Sequence, residues 1–214
     1  MDRHSVNLSR IERALHAPAG RSSDFDLDPG LDPRLDPGLD PAARPRSPAL
    51  SPASVLVPLV ERGSDLRVIL TRRAARLKHH PGQVAFPGGK QEPGDATPLD
   101  AALREAREEI GLMPEQVTVL GAFDRHETVT RFAVTPFVGL VDTGFEPVPD
   151  RGEVDEVFEV PLAFLMEPAN FQVQARRWQG SLRHYLAIPY GPHYIWGATA
   201  RMLRSLAERM REPS

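Results

Sequence analysis

Three glutamates lie close together in the middle of the chain, within the run REAREE. Glu105, Glu108 and Glu109 are three and four residues apart, so on a helix their carboxylates project to one side. Like charges at this spacing repel each other, and Mg2+ or Mn2+, which prefer oxygen ligands, relieve that repulsion. Acidic residues on a helix more often form only a solvated face. The pattern therefore leaves two interpretations, a divalent-cation site and a solvated acidic surface.

The residues around the glutamates favour the cation site. Arg104 precedes them directly, and the upstream pair Gly88 and Gly89 permits a close approach of the backbone. Arg104 has two candidate roles: it orients the glutamates through charge-assisted hydrogen bonds, or it contacts a substrate phosphate.

A basic segment lies just ahead of the glycine pair. It contains four fixed cations and two histidines: Arg72, Arg73, Arg76, Lys78, His79 and His80. Local positive charge of this kind suits an anionic substrate, although such a run is as often a solvated loop. The two histidines are not predicted as metal ligands, because the chain has no cysteine and no suitably spaced partner histidine.

The elements that carry these residues can be read from the hydrophobic pattern. Apolar positions predict a helix over Pro98–Ile110, with Gly111 as its C-terminal stop. Two apolar runs flank Arg62-Gly63-Ser64-Asp65 and predict a hairpin, and Gln83–Phe86 predicts a short strand ended by Pro87-Gly88-Gly89. Further strands are expected at Val117–Phe123, Phe132–Val141, Val154–Val160, Phe171–Trp178 and Leu182–Pro189, before a closing helix at Ala198–Met210. This order predicts an α+β fold, an α/β/α sandwich with a mixed β-sheet flanked by helices.

Length and composition set the domain organisation. The chain has 214 residues, enough for one globular domain and an extension. We predict an N-terminal helix or extension over residues 1–18, a proline-rich low-complexity linker over residues 19–52, and the globular domain over residues 53–212. The linker prediction rests on a repeated Leu-Asp-Pro unit, since proline at every fourth position interrupts helices and strands.

Charge and cysteine content exclude several classes of protein. A formal net charge of −3 provides no overall field for binding nucleic acid or an anionic membrane. The absence of cysteine excludes disulfides, thiolate zinc sites and a cysteine nucleophile. No apolar run approaches the roughly 18 residues of a membrane helix, and no signal-peptide pattern opens the chain, so we expect a cytoplasmic protein.

The glutamate segment and the loop before it resemble the Nudix box, the signature of Nudix hydrolases. The resemblance rests on Gly89, Asp95, the Arg104-Glu105 pair, the Glu108-Glu109 pair and Gly111. Asp95 stands where the general box has Glu, and the interval from Asp95 to Arg104 is one residue longer than the common pattern. The upstream residues Leu70-Thr71-Arg72-Arg73-Ala74, Lys78, Gly82 and Phe86-Pro87-Gly88-Gly89 are similar to the second signature, that of the coenzyme A pyrophosphatase branch. Lys78 stands where that signature has Arg.

The resemblance implies a Nudix fold and a set of roles. Glu105, Glu108 and Glu109, with the carbonyl of Gly89, would hold Mg2+ or Mn2+. Arg104 would orient the glutamates. Either Glu108 or Glu153 would be the general base, and the substrate would be bound by Arg72, Arg73, Lys78, Gly88 and Gly89.

The implied reaction is metal-dependent hydrolysis of the diphosphate of coenzyme A or acyl-CoA. Its products would be 4′-phosphopantetheine, or its acyl form, and adenosine 3′,5′-bisphosphate. One alternative is a Nudix pyrophosphatase acting on ADP-ribose or another nucleoside diphosphate derivative, and another is a noncatalytic nucleotide-binding module. The expected partner is thus a small molecule, with no nucleic acid or membrane, and a homodimer is left open.

Overall fold

The computed structural model describes residues 3–18, 20–28, 49–178 and 180–211. Its helices are α1 (Arg3–His16), α2 (Pro98–Ile110), α3 (Leu162–Leu165) and α4 (Ala198–Arg209). Its strands are β1 (Arg21–Ser23), β2 (Ser51–Arg62), β3 (Asp65–Arg73), β4 (Val84–Ala85), β5 (Gly88–Lys90), β6 (Val117–Ala122), β7 (Arg125–Glu127), β8 (Phe132–Val141), β9 (Val154–Pro161), β10 (Gln172–Trp178), β11 (Ser181–Tyr190) and β12 (His193–Trp196). None of the helices in these ranges is both long and apolar enough to span a membrane.

The central strand of the main sheet is β2. It pairs in parallel with β8 and antiparallel with β3 and β5. The sheet continues through β7 to β1 on one side and through β3 to β4 and β9 on the other, while β6 pairs with β8. Strands β10, β11 and β12 form a second, antiparallel sheet. The predicted α+β fold with a mixed sheet is confirmed.

Helices cover both faces of the main sheet because the side chains of β2 alternate. Leu56 and Val60 pack with Ala106 of α2 on one face. Val57 and Leu59 point to the other face and belong to the cluster that includes Leu203 of α4. Successive residues of a strand face opposite sides, and both sides of this strand are apolar, so the sheet is enclosed between two helical layers.

The hairpin and the helix α2 form as predicted, and the short strand predicted at Gln83–Phe86 forms as β4 and ends before Pro87. Arg62 pairs with Asp65 across the turn. The sequence did not predict that Gly88 and Gly89 then begin a further strand, β5, which pairs with Ala53–Val55 of β2. The pairing was missed because glycine has a low strand propensity, whereas here its missing side chain is what lets this strand approach its neighbours.

The N-terminal segment packs against the main sheet. Ile11 of α1 is fully buried in the main core. Strand β1, which lies inside the predicted linker, pairs in parallel with β7. The buried imidazole of His126 fixes this pairing through hydrogen bonds with the Ser22 hydroxyl (2.8 Å) and the Asp24 carboxylate (3.0 Å). Residues 29–48, which carry most of the Leu-Asp-Pro repeat, lie outside the described residues.

Candidate active site

Helix α2, which carries the glutamates, is fixed at both ends by local interactions. Thr97 caps its first turn, and the side chains of Thr97 and Asp100 form a reciprocal capping box with the backbone. Pro98 occupies the first helical position, where no hydrogen-bond donor is needed. Gly111 adopts a left-handed conformation (φ 72°) and donates to the carbonyls of Ala106 and Arg107, as expected for a glycine C-cap. The sequence therefore sets the position of the carboxylates along the helix.

Strand β5 packs directly against these carboxylates. The amide of Gly88 lies 3.4 Å from Oε2 of Glu109. A Cβ added to Gly89 would lie 2.3 Å from Oε1 of Glu105, and one added to Gly88 would lie 2.4 Å from the carbonyl oxygen of Ser54. Gly88 therefore requires glycine because of its backbone neighbours, whereas a side chain at position 89 would displace the carboxylate of Glu105.

Arg104 links the loop before the helix to two of the glutamates. Its Nε and Nη2 donate to Asp95 over 3.0 and 3.1 Å, and Nη1 donates to Glu105 (2.9 Å) and Glu108 (3.0 Å). Nη2 also donates to the carbonyl of Lys90. The bond to Asp95 raises the pKa of the guanidinium above its usual range, and the same bond lowers the pKa of the Asp95 carboxyl. Arg104 thus contacts three carboxylates in this structure.

The three glutamates differ in burial, so they do not form the single exposed face that their spacing suggests. Glu109 is only 3% exposed, and its side chain faces the glycine strand beside the apolar core. The side chain of Glu105 is 16% exposed and that of Glu108 is 50% exposed. The helix is turned so that burial increases from Glu108 through Glu105 to Glu109.

The buried carboxylates lack full charge compensation. The pKa of Glu109 is raised to about 8, mainly by burial and also by the charge of Glu105, and Arg73, with Nη1 3.8 Å from Oε1, opposes this rise. Burial also raises the pKa of Glu105 against the opposing effect of Arg104. Glu153 contributes to both shifts, so this later carboxylate lies within electrostatic reach of the pair.

The chemistry of this donor set fits a hard divalent cation. Glu105 and Glu109 supply carboxylate oxygens beside the glycine strand, and both would be stabilised by added positive charge. Within the described ranges no three Asp, Glu or His side chains are already gathered around one point, because Glu108 is turned toward Arg104 and Arg107. Glu108 would join the other two only after its exposed side chain rotates away from these arginines.

Of the three cations predicted to bind the substrate, the structure places only Arg73 beside the glutamates. Arg73 lies beside Glu109 and lines a cleft next to the glycine strand. Arg72 instead forms an ion pair with Glu156 of β9 (3.0 Å), and Lys78 is exposed and does not line the cleft. Successive residues of a strand face opposite sides, so the neighbouring side chains of Arg72 and Arg73 meet different partners.

The cleft has a volume of about 570 Å³. It is lined by Ala53, Val55, Arg73, His79, His80, Gly88, Gly89, Lys90, Thr130, Phe132 and Val134. Lys90 and Phe132 were not predicted, and Lys90 Nζ lies 5.3 Å from the centre of the Phe132 ring. Lys90 directly follows the glycine pair and could have been noticed there. Phe132 is brought in only by strand pairing, so the sequence offered no signal for it.

The fold and the site together define a hydrolase-type centre, with carboxylates on a helix packed against a glycine strand and a basic cleft beside it. The chain belongs to the Nudix hydrolase family, because the NUDIX domain model matches residues 50–179. Such enzymes act on nucleoside diphosphate derivatives and generally use divalent ions such as Mg2+ or Mn2+.

Relatives named as Nudix hydrolases agree with this family. Proteins named "uncharacterized Nudix hydrolase NudL" from Citrobacter koseri and Salmonella newport are 39% and 40% identical over 155 and 156 residues, each match covering 72% of this chain and 80% of the relative. A Caenorhabditis elegans Ap4A hydrolase binary complex has a TM-score of 0.45 and 19% identity, over 53% of this chain and 82% of that one. The NUDIX domain of Shewanella oneidensis NrtR complexed with ADP ribose has a TM-score of 0.42 and 20% identity, over 59% of this chain and 80% of that one.

Proposed function

We propose that this protein hydrolyses the diphosphate of coenzyme A or acyl-CoA. Water adds to one phosphorus and the bond from that phosphorus to the bridging oxygen breaks, which gives 4′-phosphopantetheine, or its acyl form, and adenosine 3′,5′-bisphosphate. The relatives named NudL support a Nudix hydrolase but their names specify no substrate. The choice of coenzyme A rests on the second signature in the sequence.

One observation carries the proposal: the two signatures meet at one place. Arg73, from the upstream signature, lies 3.8 Å from Glu109 of the Nudix box. Gly88, which also belongs to the upstream signature, donates its amide to the same carboxylate. A substrate held by the upstream residues would therefore present its diphosphate to the glutamates.

Glu105 and Glu109, with the carbonyl of Gly89, would hold Mg2+ or Mn2+, and Glu108 would complete the set. A bound divalent ion neutralises charge on the phosphates and makes a coordinated water acidic enough to react near neutral pH. Arg104 keeps Glu105 in place through its hydrogen bond, and its own position is set by Asp95. Arg73 adds a positive charge on the side of the cleft.

Glu153 is our choice for the general base, with Glu108 as the alternative. The charge of Glu153 reaches both Glu105 and Glu109, and its carbonyl accepts a hydrogen bond (2.8 Å) from the amide of Ala74, which belongs to the upstream signature. Glu108, in contrast, has one carboxylate oxygen already occupied by a hydrogen bond from Arg104. Glu153→Gln and Glu108→Gln, each assayed for the pH dependence of kcat, distinguish the two.

A substrate panel tests the proposal. The purified protein is incubated with Mg2+ or Mn2+ and with coenzyme A, an acyl-CoA, ADP-ribose, NADH or diadenosine polyphosphates, and the products are separated by chromatography. We expect coenzyme A or its acyl form to have the highest kcat/KM. Faster turnover of ADP-ribose would contradict the coenzyme A assignment, and no turnover of any compound would support a binding module. A cytoplasmic location and a homodimeric state stay predictions.

A further inference from the structure

The floor of the cleft is a continuous patch of the main sheet. Ala53 of β2 pairs with Val134 of β8 on one side and with Lys90 of β5 on the other. Directly paired residues share a face of a sheet, so these three side chains stand on the same face. Phe132, two residues before Val134, stands there as well. The patch therefore combines an apolar surface with one lysine.

The glutamates lie on the other side of strand β5. Gly89 faces α2, because a Cβ at this position would meet the carboxylate of Glu105. Its neighbour Lys90 faces away from α2 by the alternation of a strand. Arg73 connects the two sides, since it lines the cleft and lies 3.8 Å from Glu109. A substrate that crosses the glycine strand would thus contact both the carboxylates and the cleft.

Some of the positive side chains around the cleft are paired with carboxylates of the described residues, whereas Lys90 is not. Arg73 is paired with Glu109, and Arg104 with Asp95 and Glu105. In the part of the chain that the structure describes, no carboxylate lies within ion-pair distance of Lys90, whose Nζ rests over the Phe132 ring.

Two histidines, His79 and His80, also line the cleft, and neither has a carboxylate partner among the described residues. Burial lowers the pKa of His80, and the nearby charge of Arg73 lowers it further. The two imidazoles therefore add hydrogen-bonding nitrogens beside the fixed charges of Arg73 and Lys90.

We propose that this cleft binds a phosphate monoester of the substrate, separate from the diphosphate that is hydrolysed. Lys90 and His79 would contact the phosphate, and Phe132 would pack against the attached nucleoside. A volume of about 570 Å³ is within the range of small-ligand sites. This inference rests on the proposed function, because in coenzyme A the group in question is the 3′-phosphate.

Binding of the product nucleotide tests the cleft without any reaction. Titration calorimetry compares adenosine 3′,5′-bisphosphate with adenosine 5′-monophosphate, using wild type, Lys90→Gln and Lys90→Arg. A control, Arg125→Gln, removes the same charge from an exposed position outside the cleft. We expect wild type, Lys90→Arg and the control to bind the bisphosphate roughly tenfold more tightly than the monophosphate, because the monophosphate lacks the phosphate that accepts the charge-assisted hydrogen bond. Equal affinities in wild type, or an unchanged preference in Lys90→Gln, would overturn the inference.

Hydrolysis of coenzyme A and of 3′-dephospho-coenzyme A separates this inference from the proposed function. We expect Lys90→Gln to raise KM for coenzyme A while kcat, and KM for the dephospho compound, stay close to wild type. If wild type hydrolyses neither compound but binds the bisphosphate selectively through Lys90, the proposed function fails and the cleft inference holds. If it hydrolyses both equally and shows no binding preference, the cleft inference fails and the proposed function holds.

Discussion

The guanidinium of Arg104 donates one hydrogen bond to each carboxylate oxygen of Asp95, over 3.0 and 3.1 Å. This two-point contact joins the loop after the glycine strand to the helix that carries the glutamates. Asp95 also accepts a hydrogen bond from the amide of Glu92 (2.8 Å), which fixes it within its own loop. Asp95 therefore fixes the edge of the guanidinium formed by Nε and Nη2. The third nitrogen, Nη1, donates to Glu105 and Glu108.

Replacing Arg104 with lysine tests this orienting role. Lysine keeps the charge but loses the planar, multiple hydrogen bonding, so Glu105 would no longer be held in place. We expect Arg104→Lys to lower kcat or the apparent affinity for Mg2+ about 10- to 100-fold, as for other residues that support metal ligands. Arg107→Lys, an exposed arginine of the same helix, is the control. Steady-state hydrolysis across a Mg2+ titration measures both, and equal behaviour of the two variants would refute the role of Arg104.

Gly89→Ala tests the contact between the glycine strand and Glu105. The added Cβ would lie 2.3 Å from the carboxylate, so the flexible glutamate side chain would move while the fold persists. We expect turnover to fall at least about tenfold, because displacement of a catalytic group by 1 Å is enough for a large loss. In Gly94→Ala the new Cβ meets no atom within 4 Å, so this variant should keep wild-type turnover. Unchanged circular dichroism spectra would show that both variants fold.

Glu109→Gln tests the electrostatic penalty of the buried carboxylate. The pKa of Glu109 is raised to about 8, so between its ordinary value and pH 8 the folded protein holds a proton that the unfolded chain has released. The free energy of unfolding therefore falls as pH rises through this interval. Without divalent ions, we expect Glu109→Gln to be more stable than wild type at pH 8 by at least about 1 kcal/mol, with a smaller difference at pH 4.

Urea denaturation in a chelator measures these differences, with the exposed Glu115→Gln as control. Addition of Mg2+ should then stabilise wild type more than Glu109→Gln, because the ion gains less from a neutral amide. The variant should also lose most of its hydrolytic activity. A greater advantage of Glu109→Gln at pH 4 than at pH 8, or equal stabilisation by Mg2+, would contradict this account.

Ile11→Ala tests whether helix α1 contributes to the stability of the domain. Ile11 is fully buried among core residues of the sheet and α4. Arg209 of α4 also donates hydrogen bonds to the carbonyls of Ala14 and Ala17 at the end of α1. We expect a loss of about 2 to 5 kcal/mol in the free energy of unfolding, measured by urea denaturation. The neighbouring Glu12→Ala, which changes an exposed side chain, should have little effect, and equal stability of the two would argue against docking of α1.

Helix α2 could be predicted well because its determinants are local. The capping residues Thr97 and Gly111 and the spacing of the glutamates act within a few residues of one another, so the sequence fixes them without the rest of the fold. The sequence also indicated the glycine pair as a place of close approach. It did not reveal that these glycines form a strand, because their partner, Ala53–Val55, lies more than thirty residues earlier in the chain.

By itself, the sequence therefore determined which groups the site contains: the carboxylates on one helix, the arginine before them and the glycines. Tertiary structure decided how deeply each carboxylate is buried, that Arg73 rather than Arg72 reaches the site, and that Lys90 lies over Phe132. These outcomes depend on strand register, on the alternation of side chains along β3 and on packing between distant segments. A hydrophobic or charged pattern shows which residues are available, but desolvation and charge pairing follow only from which elements are brought together.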